Sequence, residues 1–463
     1  MIGRGGAIGP SGDGDPMKRK RLTRRDFGRV AGLAGLGVAG GVLLPGARGT
    51  AHADTFEPEF PRPVFKVTGS TDPGLDAFNQ AMSRFMQDRN ISAGSLAVSR
   101  NGKLVLARGY SFSRNLHFTV EPTALFRLAS VSKPITAAAV LKLVQAGKLS
   151  LDDKLTDRLT LTPPPGKTAD ARLGNVTVRR LLQHLGGWDR ALTPDPMFLD
   201  SVIASELGVP LPISRSNIMR RTTGVRLDFD PGARYAYSNY GYMLLGRIIE
   251  KAGGMPYATY VQERILNPRG ITRMRQGRSL PEYAAPGEVS YESKQEAVYV
   301  FDSSGSMVPS PDGGFNLENM DAHGGWLGSA VDVVRFGDLF DQRGIKYDPV
   351  LDHITFPTLE GDSIDQAFAQ PEIGVQPGGW WYGCGWVVRN AGGGIDAAHN
   401  GSLPGTTTLL VRRHDGLNWA ALFNRRRDDD TELDFDASID NALRQAANAV
   451  TSWPSVNLYR DYL

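Results

Sequence analysis

Ser130 and Lys133 stand three residues apart at the head of a run of helix formers, Thr136 to Leu143. Residues three apart share a helix face, so this spacing brings a hydroxyl and an amine together. A serine hydroxyl at its ordinary pKa is a weak nucleophile, and an adjacent amine held neutral by burial or by cationic neighbours can take its proton. A helix N-terminus beside Ser130 adds backbone N–H groups aimed at any oxyanion formed there. No other lysine in the chain has a serine three residues before it. The chemistry on offer is nucleophilic attack on an acyl group, although an isolated pair of this kind also describes a helix start with a surface lysine.

Two later constellations bear on that pair. Tyr237-Ser238-Asn239 is the only Tyr-x-Asn of the chain and falls at a helix start, where Asn239 also suits an N-cap and the surrounding tyrosines also suit core packing. His399-Asn400-Gly401 is a His-x-Gly pattern, as are His184-Leu185-Gly186 and His323-Gly324-Gly325. Of these three, only His399 sits between strand-like segments, where an extended substrate can pair with a sheet edge.

The elements around these residues read as follows. Asp76 to Arg89 has helical spacing, and strand-like Gly94–Ser99 and Lys103–Ala107 flank an Asn101-Gly102 turn. The helix of Ser130 follows. Residues 148–330 read as helices and long loops, with a clear amphipathic helix over Asn239–Ala252, a Thr177-capped run to Leu185, and a loop system over 281–325. Strand-like Gly385–Arg389, Gly405–Arg413 and Asn418–Phe423 precede a last helix over Ala437–Val450. Strands at both ends with helices between imply an α+β fold: an antiparallel sheet assembled from both ends of the chain, flanked by helices, with a mostly helical insertion.

Composition narrows the class. The chain of 463 residues with 41% hydrophobic content is globular, and its formal charge of +3 is concentrated at one end. Residues 1–53 carry nine Lys/Arg against three Asp/Glu, so the remainder is slightly acidic and no basic patch points to nucleic acid. Lys18–Arg21, the twin Arg24-Arg25, an apolar stretch from Val30 to Leu44 and Ala51-His52-Ala53 are expected to form a twin-arginine export signal, with Met17 a second candidate start. The expected destination is therefore secreted or extracytoplasmic, with membrane attachment only through an uncleaved signal. Residues 54–71, with Pro61 and Pro63, read as a linker, 72–450 as the folded domain and 451–463 as a tail. Cys384, the single cysteine, excludes an intramolecular disulfide, and no ordered set of metal ligands appears among the seven histidines. No cofactor is expected.

In order, Ser130-x-x-Lys133, Tyr237-Ser-Asn239 and His399-Asn-Gly401 resemble the serine β-lactamase and DD-peptidase superfamily in its class C-like branch, over roughly residues 72–450. The resemblance implies that Ser130 is the acylated nucleophile and Lys133 its base. Tyr237 would exchange a proton with nucleophile or leaving group, its phenolate favoured by nearby cations. Asn239 would orient a substrate amide, His399 and Gly401 would occupy the Lys-Thr-Gly strand position, and the backbone N–H groups of Ser130 and Ser402 would hold the oxyanion. Class C β-lactamases carry lysine where His399 stands, and histidine is only partly charged at neutral pH. The expectation is thus a D-amino-acid peptidase or esterase acting on a small-molecule or peptide substrate. A β-lactamase, an acyltransferase or peptide cyclase, and a non-catalytic penicillin-recognising protein are the alternatives.

Overall fold

Period-two alternation in the last strand sorts its side chains onto two faces of a sheet. Over Leu417–Phe423, the residues Leu417, Trp419, Ala421 and Phe423 join one apolar cluster while Ala420 and Leu422 join another. The structure, a computed structural model, describes residues 62–348, 351–427 and 434–463. The expected export segment lies outside these residues.

Eight strands form the main sheet: β1 (Val64–Ser70), β2 (Ala93–Arg100), β3 (Lys103–Ser113), β4 (Trp380–Tyr382), β5 (Val387–Ala391), β6 (Gly394–Leu403), β7 (Thr406–Arg412) and β8 (Leu417–Phe423). Their order is β1-β3-β2-β8-β7-β6-β5-β4, with every neighbour antiparallel. Both ends of the chain thus build one sheet, as the strand pattern implies. Helices α1 (Asp76–Asp88) and α5 (Asp436–Ala449) cover one face through Phe78, Met82, Phe85, Ile439 and Leu443. The other face packs on α2 (Ser132–Gln145), α4 (Ala330–Gly337) and, beyond them, α3 (Asn239–Gly253) in the helical region.

The ends of the domain differ from the sequence reading. The segment 54–71 is no simple linker, because β1 pairs residue for residue with Ser113 back to Ala107. Proline before an edge strand removes no ladder bond, so Pro63 did not prevent pairing. The tail 451–463 is also part of the fold: Tyr459 is buried with its hydroxyl donating to Asp338 Oδ2 at 2.7 Å, and the Leu458 N–H donates to Leu104 O at 2.9 Å.

Three short pieces locate the nucleophile candidate. Phe126–Arg127 pairs with Trp326–Gly328, and Leu128 N–H continues the contact to Trp326 O at 2.8 Å. A 3-10 turn over Ala129–Val131 then leads into α2, which is buried along almost its whole length. Small side chains make that depth possible. Gly385, at φ +84°, lies so close that a Cβ there would stand 2.8 Å from Ala137 Cβ and 3.1 Å from Lys133 O.

Candidate active site

Ser130 is half-buried on its turn and Lys133 is fully buried on the first turn of α2. Their side chains meet at 3.1 Å, and Tyr237, just before α3, donates its hydroxyl to Ser130 Oγ at 2.8 Å. Lys133 Nζ also lies 2.8 Å from Asn239 Oδ1 and 2.9 Å from the His323 carbonyl oxygen. Both of those atoms only accept. Burial drives the Lys133 pKa well below the ordinary lysine value, against the opposing pull of Asp195. A neutral amine has two hydrogens and one lone pair. With the hydrogens given to Asn239 and His323, the lone pair is left facing the Ser130 hydroxyl, which is the arrangement a general base requires.

Tyr237 departs from the expectation of a phenolate. Burial raises its pKa, outweighing the hydrogen bond to Ser130 and the nearby Arg190, so the resting group is a phenol that donates. Asn239 is likewise committed: its Oδ1 serves Lys133 and its Nδ2 donates to Asp195 Oδ2 at 2.7 Å. The N-cap of α3 is Ser238, whose side chain accepts from Gly241 N–H, so Asn239 is not the cap.

Strand β6 carries His399 and Gly401 onto the face of Ser130. Its pairing with β5 ends at Ala398, so His399 to Leu403 extend past that neighbour and pair with β7. Gly401 passes directly over the nucleophile turn: a Cβ there would meet Thr408 Oγ1 at 2.2 Å, Leu128 O at 2.5 Å and Ser130 N at 3.0 Å. The strand can approach this closely only because residue 401 has no side chain. Ser402 follows, its side chain exposed on the opposite face. Asn400 also points away, donating to Asp436 Oδ2 of α5 at 2.8 Å.

His399 is not the partly charged group expected. It is buried, and desolvation together with Lys133 lowers its pKa to about 3. Nδ1 lies 2.6 Å from the Asn400 carbonyl oxygen, which only accepts, so the proton sits on Nδ1 and Nε2 accepts from the Tyr382 hydroxyl at 2.8 Å. Both ring nitrogens are spent on the protein.

Three further side chains build the wall of the site. His184, at φ +59°, accepts the Ser238 N–H on Nδ1 at 3.1 Å and lies 4.3 Å from the Tyr237 ring centre to centre. Burial keeps its imidazole neutral. Asp195 holds Asn239, and Tyr382 holds His399. The sequence marks His184 only as a competing His-x-Gly, and it does not single out Asp195, which in the structure also caps a 3-10 turn by accepting Met197 N–H at 3.1 Å. Nothing in sequence spacing ties Asp195 or Tyr382 to the nucleophile. Among the described residues no group of three or more His, Cys, Asp or Glu side chains is placed to hold a metal. Cys384 is buried, and its pKa is pushed up to about 12 by desolvation.

A half-buried serine, a buried amine of depressed pKa and a phenol on one oxygen, inside this sheet-and-helix frame, are the parts a serine nucleophile with a general base needs. The chain belongs to the Beta-lactamase family, whose model matches residues 78–442. Among curated relatives, penicillin-binding protein 4* of Bacillus subtilis is 26% identical over 367 residues, 77% of this chain and 72% of that protein. The probable fimbrial assembly protein FimD, serogroup H1, of Dichelobacter nodosus is 33% identical over 217 residues, 45% of this chain and 47% of that protein. The chain thus spans about half the length of relatives of the latter kind. Among solved structures, a D-stereospecific amidohydrolase from Streptomyces sp. superposes with a TM-score of 0.58 at 21% identity, over 80% of this chain and 98% of that one.

Proposed function

We propose that the protein is an exported D-amino-acid amidohydrolase, a peptidase or esterase in substrate range, working through an acyl-enzyme on Ser130. The observation that carries this reading is the Lys133 amine, whose two hydrogens are taken by pure acceptors and whose lone pair meets the serine. Ser130 Oγ gives its proton to Lys133 as it bonds to the substrate carbonyl carbon, and the carbonyl electron pair moves onto oxygen. The backbone N–H groups of Ser130 and Ser402 receive that oxyanion, a role supported by the close passage of Gly401 over Ser130 N. Collapse breaks the bond to the leaving nitrogen or oxygen, which takes the proton of Tyr237. The proton on Lys133 then returns through the site to the tyrosine oxygen. Water attacks the ester by the same steps in reverse roles.

The D-amino-acid class is favoured over a β-lactamase by position 399. A neutral histidine with both nitrogens occupied offers no charge to a lactam carboxylate. The likeness of fold to a D-stereospecific amidohydrolase supports the same choice. Export rests on the twin arginine and the apolar stretch after it.

Intact-mass measurement of wild type and Ser130→Ala, after brief exposure to D-phenylalaninamide, a D-Ala-D-Ala peptide, a p-nitrophenyl ester and a penicillin, tests the mechanism and the class together. A Ser130-dependent adduct with turnover of the D-amide or D-peptide is expected. Turnover confined to the penicillin would overturn the substrate class, and absence of any adduct would overturn the mechanism. Cell fractionation with Arg24→Lys and Arg25→Lys together is expected to trap the protein in the cytoplasm.

A further inference from the structure

His399 has both ring nitrogens taken and Lys133 Nζ is enclosed by Ser130, Asn239 and His323, so the reacting centre presents no free cation to a substrate. One stands at its rim. The Arg190 guanidinium carbon lies 4.8 Å from the centre of the Tyr237 ring, on an exposed residue, and Arg190 lines a pocket with Trp188, Thr193, Arg226, Tyr237 and Ser238. The carboxylates of that pocket are already engaged. Asp189 accepts from Arg234 at 2.6 Å and from Ala191 N–H at 2.9 Å. Asp228 accepts from Asp189 N–H at 2.7 Å and from the Thr193 hydroxyl at 2.6 Å. Asp195 is held by Asn239 and Met197 N–H, while Arg221 is paired with Glu206 at 2.8 Å. Neither Arg190 nor Arg226 has an ion pair or hydrogen bond among the described residues.

We propose that Arg190, with Arg226 in the same pocket, is the receptor for a carboxylate carried by the substrate near its scissile bond. The Tyr237 ring lies under the guanidinium and takes none of the N–H groups along its edge. That edge presents a planar fork matched to a carboxylate, which an imidazole at 399 with both nitrogens spent cannot do. Tyr237 lines this pocket and also touches Ser130 Oγ at 2.8 Å, so one side chain separates the pocket from the nucleophile. The substrate class becomes an acidic one: a D-amino acyl group with an acidic side chain, or a peptide whose leaving residue bears its terminal carboxylate. The assignment rests on Ser130 being the acylated residue.

Two isosteric pairs separate charge from shape. D-glutamate α-amide against D-glutamine α-amide places the charge on the acyl side, and D-Phe-D-Ala against D-Phe-D-alaninamide places it on the leaving side. Calorimetric binding to Ser130→Ala reads affinity without turnover, and kcat/KM on wild type reads the reaction. In at least one pair the acidic member is expected to bind about tenfold or more tightly, a preference lost in Arg190→Gln and partly kept in Arg190→Lys. Equal affinities in both pairs, no detectable binding of either acidic ligand, or a preference that survives Arg190→Gln with Arg226→Gln would overturn the proposal. So would an Arg190→Gln variant that lowers kcat equally for all four compounds with KM unchanged, which would mark an effect on Tyr237 instead. Charge preference with no Ser130 adduct would leave the receptor standing and remove the acyl-enzyme.

Discussion

Replacing Lys133 with methionine tests the central inference with little change of shape. The side chain is fully buried, and methionine keeps an unbranched chain as far as Cε while removing the nitrogen. Two acceptors, Asn239 Oδ1 and His323 O, then lose their donor, at about 1–3 kcal/mol each. An opposing contribution disappears with the amine. Because the folded pKa of Lys133 lies below its unfolded value, the unfolded chain binds more protons, and at neutral pH the buried lysine lowers stability. The net stability change is therefore small, whereas loss of a positioned general base costs about 10²–10⁴-fold in rate. Single-turnover acylation followed by intact mass, beside calorimetric melting, separates the two. In wild type the rate should fall as pH drops through the depressed lysine pKa, since the ammonium form has no lone pair for the serine proton. That inflection should vanish in Lys133→Met. Acylation within tenfold of wild type in a folded Lys133→Met protein would refute the assignment of lysine as base.

Tyr237→Phe should slow cleavage of amides by about 10²–10³-fold and of p-nitrophenyl esters much less, because nitrophenolate leaves without a proton; equal losses on both in steady-state assays would argue against a proton-donating role. Gly401→Ala puts a Cβ within 2.5 Å of Leu128 O, so strand or turn must shift, with stability falling by about 1–3 kcal/mol and acylation falling with it. Unchanged melting and acylation would mean the approach is looser than described. His184, His323 and His399 are all buried with lowered pKa, so the unfolded chain binds more protons and stability drops as pH falls below about 6.5. For His399, with a folded value of about 3, the loss at pH 5 is about 2 kcal/mol. Denaturant melts at pH 7 and pH 5 read it, and ¹⁵N spectra showing His399 protonating near pH 6.5 would contradict the buried neutral ring.

The fold was legible wherever one face of an element is buried. The Asn101-Gly102 hairpin, the helices over Asp76–Asp88 and Asn239–Gly253 and the last helix stand where period and caps put them. Strand β6 was harder, since Gly394 to Leu403 alternates Ala, His, Gly and Asn instead of large apolar residues, and its identity comes from pairing with β7. The segment 54–71 misled because its prolines outweigh the short Val64-Phe65-Lys66-Val67 alternation. In the site, the nucleophile, the lysine and the tyrosine were readable because order and spacing restrict them. Their charge states were not, because these depend on burial by distant segments. Asp195, His184, Tyr382 and Arg190 share no spacing with Ser130 at all.

Those charge states form one pattern. Lys133, His184, His323 and His399 are all depressed in pKa by burial, and Lys133, His184 and His399 are each fixed by acceptors or donors that suit the neutral form. A protonated histidine among them would add a cation to a site that already destabilises one on Lys133. Keeping the imidazoles neutral therefore confines the one transferable proton to the path Ser130, Lys133, Tyr237. Substituting lysine at position 399 would break that confinement: the added ammonium would face Tyr382 and raise the cost of protonating Lys133, so His399→Lys is expected to slow acylation of a neutral D-amide. Faster acylation of the neutral D-amide in His399→Lys would mean that the site tolerates a second cation and that neutrality is incidental to the reaction.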